Sequence, residues 1–383
     1  MARPRRPHGR PRLTVDPIAH TLVGASLAQT GLKRLSRFGT LTLLLAANAP
    51  DIDVFTMFLG RDFSLGARRG WTHGVLALAV LPVALAGLVW LLARMRAPHG
   101  GAEAPPAFVP LLGLSAIGVL THPLLDWLNT YGIRLLMPFD ERWFYGDGLF
   151  IVDPWVWLLA ATPAVLASSA RWPSRLAWIL GGAIATWIVV GPGLAAWSTR
   201  AAWLVGLGGI SVLAWSRRPR VRHRFAVACL AAVALYAAAM VMGSRVAAGQ
   251  AERWLASRGV EVVTAMAGPV AGNPFAREII ASSGDRYHFV LIDWLSDRPI
   301  RLSDDSVPIG EVDAIVRAAL VAPDIQGTRR WLRLPSYTVE RDADGYRVTV
   351  RDMRFARRAV AGLGVVEILL TNDLRPRDAT ESR

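Results

Sequence analysis

The chain of 383 residues is 53% hydrophobic and only 19% charged, with a mean hydropathy of +0.34. Soluble globular chains carry roughly 25% charged residues, so the composition excludes disorder for most of the sequence and argues against a wholly soluble fold. The net charge of +14 leaves three partners to separate: nucleic acid, anionic lipid, or the bilayer around the basic loops of a membrane protein.

Residues 1–14, MARPRRPHGRPRLT, are Arg/Pro-rich and lack the apolar stretch of a secretory signal. They are expected to be a basic disordered tail, or to lie upstream of a true start at Val15; N-terminal sequencing of native protein distinguishes the two. Residues 15–245 are expected to form a multi-pass helical membrane domain. Two interrupted apolar stretches come first, Pro17–Leu32 and Gly39–Leu59, and read as a short helical hairpin at or in the membrane. Six apolar runs follow: Gly74–Leu92, Phe108–Leu120, Phe150–Ala170, Leu176–Trp197, Ala201–Trp215 and Phe225–Gly243. Several approach the ~20 residues that a helix needs to cross a bilayer. The single cysteine, Cys229, permits neither an intramolecular disulfide nor a thiolate metal site.

Basic residues in short loops set the orientation. The break Arg217–Arg224 is the strongest cluster and is expected inside, together with Lys33, Arg34, Arg37, Arg94, Arg96, Arg171 and Arg175. Loops 60–73 and 129–149 then face outward, as does the C-terminal domain. A basic tail at 1–14 on the outer side would run against this rule. Residues 246–383 are charged and read as a smaller soluble α+β domain. Strands are expected at Tyr287–Trp294, Tyr337–Glu340, Tyr346–Arg351 and Val365–Leu370, and a helix at Glu311–Leu320. The turn Arg341-Asp-Ala-Asp-Gly345 suits a hairpin with its glycine in the left-handed region.

Ionisable residues at membrane depth cost about 2.5–3.5 kcal/mol each and need partners or a function. Here they cluster. His122 and Asp126, four apart on a helix, lie on one face and can approach a single ion, with Asn129 extending the stripe. Asp51 and Asp53 cannot share a helical face, but in an extended turn after Pro50 both can enter one cavity. His73 opens a membrane helix after Arg69-Gly-Trp-Thr, and His20 stands four after Asp16. Each has an ordinary alternative: a capping carboxylate, a hydrogen-bonded histidine, an interfacial side chain. The topology, however, brings all of them to one side of the bilayer. Asp153 is expected either to cap the next helix or to orient a histidine. Arg69, Arg134 and Arg142 are candidates for holding an anionic group, or for snorkelling to the headgroups. Histidine and aspartate suit a divalent ion such as zinc or manganese.

These motifs resemble the YdjM-like family of inner-membrane metal-dependent hydrolases. The matching pieces are Asp16-Pro-x-x-His20, Pro50-Asp51-x-Asp53, Arg69-Gly70-x-Thr72-His73 and His122-x-x-x-Asp126-x-x-Asn129-x-Tyr131-Gly132, with Pro138-Phe139 and Asp153-Pro154. The resemblance covers residues 15–160 well, and the extension ahead of Asp16 departs from it. It implies a multi-pass protein of the bacterial inner membrane with a His/Asp metal site and hydrolase activity. The order of ligands is also similar to that of zinc-dependent phospholipases C.

The leading expectation is a hydrolase of a phosphoester or lipid ester at the membrane surface. Metal ligands would be His20, Asp51, His73, His122 and Asp126, with Asn129 and Asp153 behind them. Asp53 would serve as general base or bridging ligand, and Arg69 would hold the anionic substrate. The alternative is a non-enzymatic scaffold or stress-response protein with a structural metal and a partner-binding C-terminal domain. A transporter fits less well, because no inverted repeat is visible. Nucleic acid is not an expected partner, since the arginines are spread over membrane loops and form no known module.

Overall fold

The structure is a computed structural model that describes residues 17–96, 105–168, 171–191, 196–216, 223–356 and 363–377. The tail 1–14, Asp16 and most of the basic break at 217–224 lie outside the described residues.

Helix α1 (Pro17–Gln29) begins on a proline whose missing N–H is no loss in a first turn. It pairs with α2 (Gly39–Asn48), which runs on as a 3₁₀ segment, Ala49–Leu59, started by Pro50. The short α3 (Arg61–Ala67) and a turn lead into α4 (Val75–Met95), followed by α5 (Phe108–Trp127). Glycines set the spacing here. A Cβ on Gly24 of α1 would lie 2.9 Å from Leu43 O of α2, and one on Gly118 of α5 would meet Ala46 Cβ at 2.5 Å. Both helices therefore press onto α2, the small-residue packing by which membrane helices approach closely. That approach brings His20 and His122 together above the end of α2.

The remaining helices are α6 (Pro154–Ser168), α7 (Trp172–Val190), α8 (Trp197–Ser216) and α9 (His223–Ala256). All six apolar runs seen in the sequence thus become helices. Among the described residues, five helical stretches are long and apolar enough to span a bilayer: Gly39–Leu59, α4, α5, α7 and α9. The chain is a helical membrane domain followed by a smaller domain of antiparallel sheets.

Helix α9, 34 residues and about 51 Å long, continues through residue 245 without a break. Its last turns bury Ala247, Ala251 and Leu255 against Ile279, Val290 and Ile292 of a four-stranded meander. The strands of that meander are β1 (Thr264–Val270), β2 (Asn273–Ser282), β3 (Arg286–Asp293) and β4 (Ile300–Pro308). Helices α10 (Ala314–Leu320) and α11 (Gln326–Trp331) precede a second meander of β5 (Pro335–Asp342), β6 (Gly345–Asp352) and β7 (Val365–Thr371). α10 starts three residues later than expected because Asp313 caps it, accepting from Val316 N at 2.8 Å. The β5–β6 loop is only residues 343–344, since Asp342 pairs with Gly345. Gly345 is needed for another reason than the turn. It has φ of 148° inside β6, and a Cβ there would run into the Leu370 carbonyl.

The sheet domain rests on loops 60–73 and 129–149. Asp62 accepts from Gly327 N and Thr328 N, both at 2.7 Å, and Arg333 makes a two-pronged pair with Asp147 at 2.8 Å. Inside the domain, Asp352 is fully buried against Arg354, which reaches both carboxylate oxygens at 2.8 and 2.9 Å. Burial alone would raise the Asp352 pKa; the Arg354 guanidinium and the Arg333 and Arg354 N–H groups overcome it and hold it below the usual carboxylate value. The resulting stabilisation is complete above the unfolded pKa of about 3.9 and is lost as pH falls through the lower folded value. Asp352→Asn is expected to cost about 3–5 kcal/mol at neutral pH, because it leaves Arg354 buried and unbalanced. Thermal unfolding should show that loss at pH 7 and a smaller one near pH 3; equal losses at both would contradict the assignment.

Candidate metal centre

On α5, His122 and Asp126 share a face as their spacing requires, with Nε2 3.5 Å from Oδ2. His122 Nδ1 lies 2.7 Å from the Ala47 carbonyl at the end of α2. A carbonyl only accepts, so Nδ1 carries the proton and Nε2 presents a lone pair. That Nε2 is buried without a hydrogen bond, 3.7 Å from Asp51 Oδ1.

Asp51 and Asp53 do not sit in an extended turn; Pro50 starts a 3₁₀ helix there. Both carboxylates are still buried and share Arg68, at 3.8 and 3.7 Å, but their other neighbours differ. Asp51 turns to His122 and Arg68. Asp53 Oδ2 accepts from Arg69 N at 2.8 Å and Thr72 Oγ1 at 2.9 Å. Thr72 Oγ1 in turn faces His73 Nδ1 at 2.9 Å. With the Thr72 hydroxyl donated to Asp53, its oxygen accepts the His73 Nδ1 proton. His73 Nε2 is then a bare lone pair, yet it stands 3.1 Å from Asp126 Oδ2.

Two lone pairs at that distance are reconciled by a proton on Nε2 or by a cation that both atoms ligate. Asp51, His73, His122 and Asp126, all buried, each offer one atom to a group whose members lie within 4.8 Å of one another. The donor set of two imidazoles and two carboxylates suits a borderline divalent ion. The residues present therefore fit a metal.

Around these four, the expected roles change. His20 stacks on His122 with ring centroids 3.7 Å apart and puts Nε2 3.4 Å from Asp126 Oδ1, outside the four-atom group. Its Nδ1 is buried with no hydrogen bond. Arg69 points inward: Nη2 reaches Asp126 Oδ1 at 2.7 Å and Nη1 reaches Asn129 Oδ1 at 2.8 Å, with the Tyr131 ring beneath. Its fork is occupied, so it positions Asp126 and is not set to receive a substrate. Asn129 is joined to the centre through Arg69. Asp153 caps α6, accepting from Trp155 N and Val156 N, and takes Tyr236 Oη on its other oxygen. Among the described residues, none of these hydrogen bonds is to a histidine. Arg134 is buried on the Gly66 and Arg68 carbonyls, and Arg142 pairs with Asp140 at the surface. Thr72 went unassigned in the sequence, although a hydroxyl beside a ligand histidine is a usable signal.

A small pocket of about 30 Å³ adjoins the centre at Asp126, and His20, Asn129 and Asp153 line it together with Ala19, Leu125 and Trp157.

Asp53 reaches His73 through Thr72, where it can orient that imidazole toward an ion. Asp53→Asn is expected to weaken metal affinity about 10–100-fold. A metal titration by calorimetry decides it: unchanged affinity with lost turnover would restore the general-base role.

Residues 15–197, which contain every residue of this centre, match the family model described as YdjM inner membrane protein. No curated protein matches the chain significantly, and neither does any solved structure. Over that segment, which carries α1 to α7 and the His/Asp centre, the chain is similar to the YdjM inner membrane protein family.

Proposed function

We propose that the protein is a membrane-embedded, metal-dependent hydrolase of a phosphoester or lipid ester, with zinc or manganese held by Asp51, His73, His122 and Asp126. The observation that carries this reading is the buried convergence of one atom each from Asp51, His73, His122 and Asp126 within 4.8 Å, with His122 Nε2 lacking a hydrogen bond. A divalent ion at such a centre supplies Lewis-acid polarisation and lowers the pKa of water toward neutrality.

The chain supplies the rest. Ala47 O fixes the His122 tautomer, and the Asp53–Thr72 relay fixes that of His73. Arg69 holds Asp126 in place. Hydrolysis adds water across the ester: hydroxyl goes to phosphorus or carbonyl carbon, and the proton goes to the leaving oxygen. The small pocket that Asp126 shares with His20 favours this reading over a structural metal, because structural sites are closed while catalytic ones keep an open position beside their ligands. The test is hydrolysis of a soluble phosphoester and of a vesicle lipid by metal-loaded protein, compared with His73→Ala. Turnover that requires both metal and His73 supports the proposal; turnover of neither ester overturns it.

The sheet domain and the centre would both lie on the outer face. Lys33, Arg34, Arg37, Arg94, Arg171 and Arg175 all fall at the opposite ends of the helices, which favours that end as cytoplasmic. A membrane-impermeant maleimide is expected to label an Asp344→Cys chain in intact spheroplasts; labelling only after lysis would reverse the orientation.

A further inference from the structure

The 3₁₀ segment that carries Asp51 and Asp53 has a second face. Inward it buries Pro50, Asp51 and Asp53; outward it exposes Ile52, Phe55, Phe58 and Leu59, with Phe63 of α3 and Trp71 beside them. Phe58 is 78% exposed and stacks on Phe55. An apolar patch of this size on a water-facing loop is costly, roughly in proportion to the area left in water.

The charged residues of the same stretch turn away from the patch. Asp62 is held by Gly327 and Thr328, and Arg61 reaches the Val365 carbonyl. The patch is also continuous with a surface that faces lipid. It prolongs the exposed Leu41 and Leu45 of α2, in the candidate span Gly39–Leu59, and lies beside exposed Val75 and Leu76 at the start of α4.

Depth points the same way. At about 1.5 Å per residue in the α-helix and 2.0 Å in the 3₁₀ helix, Asp51 lies about 19 Å above Gly39, and His122 about 21 Å above Phe108. With Gly39 and Phe108 taken as the near boundary of a hydrocarbon core about 30 Å thick, the centre falls below the far boundary and the ridge lies between it and the headgroups.

We infer that residues 52–63 with Trp71 form a ridge inserted in the leaflet on the side of the metal centre, and that the ester cleaved there is a membrane lipid taken from that leaflet. The second half rests on the hydrolase reading; the ridge does not.

The experiment uses full-length chains in a Cys229→Ser background, since Cys229 is the sole cysteine. Phe58→Cys, Phe63→Cys and, as a control, Asp344→Cys are labelled with a small fluorophore and reconstituted in phosphatidylcholine–phosphatidylglycerol vesicles. Labels at 58 and 63 are expected to be quenched by doxyl-labelled lipid and shielded from iodide, with the reverse at 344. Iodide quenching at 58 and 63 like that at 344 would overturn the ridge. Shielding from both quenchers would also overturn it, in favour of a second copy or another protein covering the patch.

The lipid source has its own readout. Phe55→Asp/Phe58→Asp is expected to lower turnover of vesicle lipid relative to a soluble short-chain ester about tenfold or more. Wild-type turnover of the soluble ester alone would overturn the lipid source. Turnover of neither ester would remove the hydrolase reading and the lipid source together, while the quenching result still decides the ridge.

Discussion

Replacing Arg69 by methionine is expected to cost about 3–5 kcal/mol, the usual penalty for stranding one partner of a buried ion pair. Arg69 is 2% exposed, and its two terminal nitrogens satisfy Asp126 and Asn129 at 2.7 and 2.8 Å. Without it, Asp126 is a buried carboxylate facing three imidazoles and no fixed positive charge. The double variant Arg69→Met/Asp126→Leu should recover part of the loss, because no charge is then left alone. Thermal unfolding in detergent, with metal removed by chelation, reads both. A single variant as stable as wild type would show that Asp126 does not depend on Arg69.

Asp126→Asn is expected to abolish metal binding while leaving the protein inserted and monodisperse. Asp126 is the hub of the centre: Oδ2 faces His73 at 3.1 Å and His122 at 3.5 Å, and Oδ1 faces Arg69 at 2.7 Å and His20 at 3.4 Å. Amidation keeps the shape but removes the negative charge and one acceptor. Removing an outer partner of a ligand costs about 10–100-fold in metal affinity, and loss of a ligand should exceed that. Metal retained at wild-type affinity in Asp126→Asn would take this residue out of the ligand set. The change also leaves Arg69 short of a counter-charge, so some loss of stability should accompany the loss of metal.

Much of this architecture is legible in the chain because membrane helices declare themselves. A run such as Val75–Met95 has to satisfy its own backbone in lipid, and composition alone then fixes it as a helix. The i, i+4 spacing of His122 and Asp126 is equally direct, since helical geometry leaves the pair one arrangement. Asp51 and Asp53 were harder. Pro50 reads as a break from an α-helix, and nothing local distinguishes an extended turn from the 3₁₀ helix that forms. The inward turn of Arg69 was not legible at all, because it depends on Asn129 and Asp126 arriving from another helix and on a backbone φ of 52° at Arg69 itself. The same holds for Asp153, where the capping and orienting roles begin from an identical Asp-Pro sequence. β1, β2 and β4 escaped notice because prolines, charges and serines interrupt their alternation, as in Ile300–Pro308, an edge strand left mostly open to solvent.

The central claim is that Asp51, His73, His122 and Asp126 bind a divalent ion within the membrane domain. It is tested most directly by elemental mass spectrometry on detergent-purified protein, wild type beside the His122→Ala/Asp126→Ala variant at equal monodispersity. Stoichiometric metal in the wild type and none in the variant is the expected result. No metal in either, even after reconstitution with zinc or manganese, or equal metal in both, would contradict it.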